Sequence, residues 1–248
     1  MVREGLIAVA VAAAGLAQAA AQGGHPDLSG VWIISKRSSQ GYSDQNGHPL
    51  DAAPYTAWAR DVRSKARPGD DPASQCLTMF PRIMGWPYPI QVVETAKSTV
   101  ILFEADTTFR QIYTDGRKLD PDDDPAWLGH SVGRWDGDVL VVDTLGVKDA
   151  AWLDADGTPT SDAQHVTERF RRIDGGRSLE DVMTISDPKV FTRPVTKRLV
   201  YNLKPKWSLK EYVCEEGNRD DVTRQRPGEP GSLSSGPDAS PPAGKGES

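Results

Sequence analysis

The residues best suited to acid–base chemistry lie in one predicted β-hairpin, residues 129–144. Asp136-Gly137 separates two runs of β-type residues, a pattern typical of a two-residue hairpin turn. With these two residues as the turn, His130 lies directly opposite Asp143. Directly opposed side chains have Cβ atoms about 5 Å apart, so the carboxylate can hold the imidazole in one tautomer and raise its basicity. The spacing therefore predicts a His–Asp dyad.

The two faces of this hairpin are equally apolar, so the pattern leaves their orientation open. One face carries His130, Val132, Arg134, Val139, Val141 and Asp143, and the other carries Ser131, Gly133, Trp135, Leu140, Val142 and Thr144. We favour the first face as the inner one. Its three ionisable groups would then mark a site, because buried ionisable groups are costly unless they are paired. The alternative places it in solvent, where a His–Asp pair is an ordinary surface contact.

A second hairpin carries two carboxylates on a clearly apolar face. With Asp174-Gly175 as its turn, Glu168 lies opposite Asp181. Two carboxylates in a low-dielectric setting cannot both ionise cheaply, so one pKa rises and an acid/base pair results. The alternative is a structural role, in which Arg110 or Arg134 neutralises them. A turn placed one residue later would break this pairing.

These groups suit proton abstraction from a small apolar or aromatic molecule. The leading hypothesis is an enzyme of the isomerase, lyase or cyclase type that needs no cofactor. The predicted catalytic residues are His130, Asp143, Arg134, Glu168, Asp181 and Tyr113, and the predicted substrate-binding residues are Arg110, Val132, Val141 and His165. Two alternatives share the fold, a non-catalytic small-ligand-binding protein and a structural protein of the cell envelope.

Two further motifs are less favoured. Residues 129–133 match G-x-S-x-G, but that motif needs a strand before the serine and a helix after it, so a serine hydrolase using Ser131 is the weaker alternative. His165 and Glu168 have metal-ligand types, yet residues three apart on a strand point to opposite faces. We predict no metal and no organic cofactor; the alternative is a metal held by His130, Asp143 and another group.

The first 21 residues predict export. Arg3, an apolar run of eleven residues and small residues in A-x-A spacing are typical of a signal peptide cleaved after Ala19 or Ala21. The alternative, a membrane anchor, needs a longer apolar run. We therefore expect a periplasmic or secreted protein. An oxidising compartment favours a disulfide between Cys76 and Cys214 over two unpaired thiols.

A net charge of −6 without a Lys/Arg block argues against nucleic acid and anionic membrane surfaces as partners. A small-molecule ligand or substrate is the expected partner, and the oligomeric state stays open.

Short strands separated by turns dominate the rest of the chain. The pattern predicts a strand after Gly30, a helix over 54–66, and strands at 91–94, 99–104, 109–114, 130–135, 139–144, 165–172, 179–186, 196–203 and 209–214. Many short strands with one short helix predict an all-β fold, a single antiparallel barrel or sandwich over 24–226. Residues 227–248 are rich in Pro, Gly and Ser and predict a disordered tail.

Two resemblances accompany these patterns. Gly30-Val31-Trp32 resembles the Gly-x-Trp opening of lipocalin-type barrels. The hairpin sequence GHSVGRWDGDVLVVDT, together with segments from Cys76 to Cys214, resembles a large family of exported bacterial proteins known only as hypothetical proteins. That resemblance implies one intact domain with its disulfide, and it implies no activity.

Overall fold

Nine β-strands follow one another in chain order around a closed barrel in the computed structural model. They are β1 (Gly30–Ile34), β2 (Ile90–Glu94), β3 (Ser98–Phe103), β4 (Thr108–Tyr113), β5 (His130–Asp136), β6 (Val139–Leu145), β7 (His165–Ile173), β8 (Ser178–Ser186) and β9 (Val195–Leu203). The structure describes residues 24–39, 41–50 and 52–214. Within these ranges there is one α-helix, α1 (Ala57–Lys65), and five 3₁₀ helices, Pro68–Asp70, Pro72–Gln75, Arg82–Gly85, Ala105–Thr107 and Asp174–Gly176. The predicted all-β barrel with one short helix is confirmed. The predicted signal peptide and tail lie outside the described residues.

The strand count forces one departure from the predicted antiparallel barrel. Nine strands cannot close with alternating directions alone, so one neighbouring pair must run parallel. That pair is β4 and β5, which meet at only two residue pairs, Ile112 with Ser131 and Tyr113 with Val132. The other eight junctions are antiparallel. We call the short parallel junction the β4/β5 seam.

One predicted strand, 209–214, is wrong. Residues 209–213 form no strand, because β1 already pairs with β9 and leaves the barrel no free edge at that side. This segment is held instead by the Thr107 hydroxyl, which donates to the Tyr212 carbonyl at 2.9 Å. The predicted disulfide is confirmed, with the Cα atoms of Cys76 and Cys214 5.6 Å apart. A disulfide of this kind is typical of an oxidising, non-cytoplasmic location.

Both predicted hairpin registers are displaced by one turn residue. Gly137-Asp138 forms the turn between β5 and β6, so His130 pairs with Leu145 and Asp143 pairs with Val132. The predicted His130–Asp143 adjacency is therefore wrong. Gly137 takes the left-handed conformation, with φ of 57°, as the first residue of the turn.

The β7–β8 hairpin is displaced in the same way. Glu168 pairs with Met183, and Asp181 pairs with Phe170, so the two carboxylates are diagonal neighbours and not directly opposed. Both still point into the barrel, because a shift of one turn residue changes the partners and leaves each residue on its own face.

The inner face of the β5–β6 hairpin is the one without His130. Ser131, Leu140, Val142 and Thr144 are all buried. The orientation that we favoured from the sequence is therefore wrong, since the aliphatic and Trp135 side chains pack against the barrel core while the charged face meets solvent.

Large side chains fill the barrel interior. The core includes Trp32, Ile101, Ile112, Leu140, Phe170, Leu179 and Tyr201. Residues 79–84 lie against the interior at one end, where Met79, Phe80, Ile83 and Met84 are buried and the Tyr201 hydroxyl donates to the Met84 carbonyl at 2.6 Å. These side chains pack against one another across the interior of the described barrel. Over the described ranges, no helix has the length and apolar character needed to cross a membrane.

Gly133 offers a test of the seam's packing. A Cβ at this position would lie 2.9 Å from Ile112 Cγ2 and 3.1 Å from Leu140 Cδ1. We expect Gly133→Ala to lower the free energy of unfolding by about 1–3 kcal/mol, the usual cost of overpacking, as measured by urea denaturation. Gly69→Ala is the matched control, because a Cβ there meets no atom within 4 Å. Equal stabilities of the two variants would contradict this account of the seam.

Candidate ligand-binding site

A buried ion pair lies at the centre of the barrel, next to the seam. The Arg110 guanidinium reaches from β4 and binds both carboxylate oxygens of Glu168 on β7, at 3.0 Å to Oε1. Its Nε donates to Ser131 Oγ on β5 at 3.0 Å, and Nη2 donates to Thr144 Oγ1 on β6 at 2.8 Å. These bonds use four of the five N–H donors of the guanidinium, and the Phe80 ring covers it at 4.1 Å. This geometry matches the alternative in which Arg110 neutralises Glu168 and both residues have a structural role.

Asp181 is the member of this cluster without a partner. It is fully buried, and neither carboxylate oxygen has a hydrogen-bond partner among the described residues. Burial raises its pKa well above the ordinary value; the charge of Glu168 adds to the effect, and Arg110 opposes it. The predicted rise of one carboxyl pKa is therefore supported, and it falls on Asp181.

A cleft of about 250 Å³ opens on the outer side of the seam. It exists because β4 pairs with β5 only at its last two residues, which leaves residues 108–111 without a backbone partner on that side. Arg110 and Ser131 contribute to its lining next to the buried ion pair, and residues 117–123 of the β4–β5 connection form part of its wall. The remaining lining residues are Phe109, Gln111, Tyr113, Arg117, Lys118, Leu119, Asp123, Gly129, His130 and Val132.

His130 lines this cleft and is oriented by the backbone. Its Nε2 lies 2.8 Å from the Asp124 carbonyl oxygen, which can only accept, so Nε2 carries the proton. Nδ1 has no partner among the residues that the structure describes. The sequence therefore selected a histidine that lines the cleft, although the pairing with Asp143 for which it was selected does not occur.

Asp143 lies on the outer face, away from the cleft. It accepts hydrogen bonds from Thr167 Oγ1 at 2.9 Å, His165 Nε2 at 3.0 Å and Arg134 Nη1 at 3.0 Å. Burial acts to raise the pKa of Asp143, but these three hydrogen bonds outweigh it and lower the pKa. A His–Asp pair does form, with His165 in place of His130. The side chains of Arg134 and His165 are 68 % and 44 % exposed, so we treat this cluster as a surface contact.

The structure separates the predicted site residues into three places. Arg110, Glu168 and Asp181 lie inside the barrel; His130, Tyr113 and Val132 line the cleft; and Asp143, Arg134 and His165 lie on the outer face. Val141 is buried on that outer face between Arg134 and Arg169, outside the core cluster. The single predicted catalytic centre does not form.

Sequence reasoning missed the aromatic and cationic wall of the cleft. Phe109 is 60 % exposed at its rim. The Arg117 guanidinium lies 3.6 Å from the centre of the Tyr113 ring and pairs with Asp115 at 2.7 Å. Neighbouring residues on a strand point to opposite faces. Because Arg110 points inward, the alternation alone could have placed Phe109 on the outer surface. Nothing in the pattern brings residues 117–123 to β4.

The remaining sequence alternatives find little geometric support. Ser131 is buried and bonded to Arg110 and Thr144, and no histidine lies beside it among the bonds of the described residues. Within the same residues, no group of three His, Cys, Asp or Glu side chains is arranged to hold a metal ion.

No model of a known protein family matches this chain, and a search of curated proteins finds no significant match. The resemblance to exported bacterial proteins stays a prediction.

The buried Asp181 carboxyl makes a pH-dependent contribution to stability. Its folded pKa is raised, so the stability present below its unfolded pKa of about 4 is lost as pH rises toward the folded pKa. The expected slope is about 1.4 kcal/mol per pH unit within that window. Asp181→Asn should therefore gain stability relative to the wild-type protein as pH rises above about 4, in urea denaturation. A stability difference that does not change with pH would contradict a raised pKa.

Proposed function

We propose that the protein binds a small molecule in the cleft at the β4/β5 seam and acts as a ligand-binding protein. The observation that carries this proposal is the cleft itself. Its 250 Å³ adjoin an unusually exposed phenylalanine, while the barrel interior is filled. Binding sites are concave and combine apolar surface with polar groups that orient the ligand, and this cleft combines four apolar or aromatic side chains with seven polar or charged ones.

The lining favours a flat ligand that is smaller than a typical drug. Phe109, Tyr113, Leu119 and Val132 supply apolar and aromatic surface. Drug-sized ligands occupy pockets of about 300–1,000 Å³, so a volume of 250 Å³ suits a single ring with one substituent.

The charges of the cleft favour an anionic substituent. Lys118 has no ion-pair partner among the described residues, whereas Arg117 is paired with Asp115 and Arg110 with Glu168. Asp123 is the one carboxylate in the lining. We therefore propose a monocyclic aromatic carboxylate as the ligand class, with its ring against Phe109 and Tyr113 and its carboxylate near Lys118.

The hypothesis of a cofactor-independent enzyme stays untested, but the predicted pairing of His130 with Asp143 that motivated it does not occur. His130 and Asp143 are not paired, and Arg110 already binds Glu168, Ser131 and Thr144. General acid–base catalysis needs its groups within hydrogen-bond reach of one substrate. Binding at the cleft needs neither the dyad nor a free Arg110.

Benzoate and its neutral isostere benzamide test the proposed ligand class. We expect benzoate to perturb the backbone NMR signals of residues 109–119 and 130–132, with an affinity about tenfold higher than that of benzamide, a difference of about 1.4 kcal/mol. Lys118→Ala should reduce benzoate affinity to the level of benzamide. Perturbation of other residues, or no perturbation by either compound, would remove the proposal.

A steric variant supplies the matched control for this titration. Val132→Trp should fill the cleft and abolish binding without unfolding the barrel, whereas Val139→Trp, on the same outer face at the hairpin end, should bind normally. Binding that survives Val132→Trp would place the ligand elsewhere.

We also propose that the chain is exported to the periplasm or the medium, which rests on the signal-peptide pattern and agrees with the disulfide. The expected product in an exporting bacterial host is a mature chain beginning at Ala20 or Gln22, read by N-terminal sequencing. A protein retained in the cytoplasm with Met1 intact would contradict export.

A further inference from the structure

The backbone of β4 presents hydrogen-bonding groups to the cleft at the seam. On its other side β4 pairs with β3 along its whole length, and just beyond it the Thr114 N–H donates to the Lys97 carbonyl at 2.9 Å. In an antiparallel pair the hydrogen-bonded residues alternate, so the even-numbered residues of β4 bond to β3. The N–H and C=O groups of Phe109 and Gln111 therefore point the other way, toward the seam.

The Phe109 groups meet no partner there. The β4/β5 pairing begins only at Ile112, and no backbone hydrogen bond from another described segment reaches Phe109. An extended segment laid along this edge would find the Phe109 N–H and C=O and the Gln111 N–H facing it. These groups are a short, free β-strand edge.

This edge lacks the usual protection against strand addition. Natural edges are blunted by lysine, proline, bulges or other inward-pointing charges. Here the outward residue is Phe109, which is 60 % exposed, and its neighbour across β3 is the half-buried Leu102. Strand addition combines main-chain bonds with pockets for side chains. Free backbone groups beside an exposed aromatic ring match that mode of recognition.

The size and charge of the cleft indicate which part of a peptide it takes. A volume of about 250 Å³ suits one residue, and residues 117–123 form a wall, so the chain must end in the cleft. Lys118 lines the cleft and has no ion-pair partner among the described residues. The C-terminal residue of a peptide brings a side chain and a carboxylate together and satisfies both features.

We propose that the ligand of this cleft is the C-terminal end of an extended peptide whose last residue is aromatic. Its ring lies beside Phe109 and Tyr113, its carboxylate lies near Lys118, and one of its amide N–H groups donates to the Phe109 carbonyl. That carbonyl is the acceptor whether the added strand runs parallel or antiparallel to β4. The inference rests on the proposed function, because it names the source of the aromatic carboxylate.

The peptide acetyl-Ala-Ala-Ala-Phe with a free carboxylate, compared with benzoate, tests the inference on the wild-type protein. By NMR titration we expect the peptide to bind at least about tenfold more tightly than benzoate. N-methylation of one amide should remove about tenfold in affinity, while N-methylation of the other amides has little effect.

The two proposals fail in different ways in this titration. If benzoate binds in the cleft but the peptide binds no more tightly and tolerates every N-methylation, the peptide inference is overturned and the proposed function stands. If neither compound perturbs the residues of the cleft, both are overturned.

Gln111→Pro removes an edge donor and leaves the β3–β4 bonds intact, since the Gln111 N–H faces the seam. Proline is tolerated at such edge positions. We expect it to weaken peptide binding at least about tenfold and to change benzoate affinity by less than about twofold. Gln111→Ala is the matched control, because it alters the same side chain and keeps the N–H, and it should bind both compounds like the wild type. Wild-type peptide affinity in a folded Gln111→Pro variant would overturn the inference; if this variant does not fold, the N-methylation series decides.

Discussion

Arg110 and Glu168 form an ion pair inside the barrel with 1 % and 0 % of their side chains exposed. Removing one partner of such a pair typically costs about 3–5 kcal/mol, because the other charge stays buried without compensation. The same guanidinium also binds Ser131 and Thr144, so one side chain joins four neighbouring strands. This matters most at the β4/β5 seam, where the backbone supplies only two residue pairs. The side-chain network there replaces part of the missing ladder.

The seam connects the architecture with the proposed function. An odd number of strands requires one parallel pair, and this short parallel pair leaves residues 108–111 of β4 without a partner on the β5 side. The resulting cleft is polar where Arg110 and Ser131 reach it and aromatic where Phe109 and Tyr113 line it. Trp32 and its neighbours fill the interior of the described part of the barrel. Ligand binding is therefore proposed at a defect in the sheet.

Alternation along the strands predicted more than the turn positions did. In β7 and β8 the apolar residues mark one face, and they place Glu168 and Asp181 inside whichever of two adjacent turns is used. The turn position decides only which residues are directly opposed. In the actual register His130 lies opposite Leu145 and Asp143 lies opposite Val132, so the predicted His130–Asp143 pair does not form. In β5 and β6 both faces are half apolar, so alternation could not select the inner one.

The sequence by itself determined the nine strands, the all-β class, the cysteine pair and the inner face of β7–β8, because these follow from local backbone preference, alternation and oxidation state. Only the tertiary structure decided that His130 faces the cleft, that Asp143 binds His165, and that Arg110 neutralises Glu168. The physical reason is separation along the chain: Arg110 and Glu168 are 58 residues apart, and no local pattern encodes which distant side chain meets a buried charge.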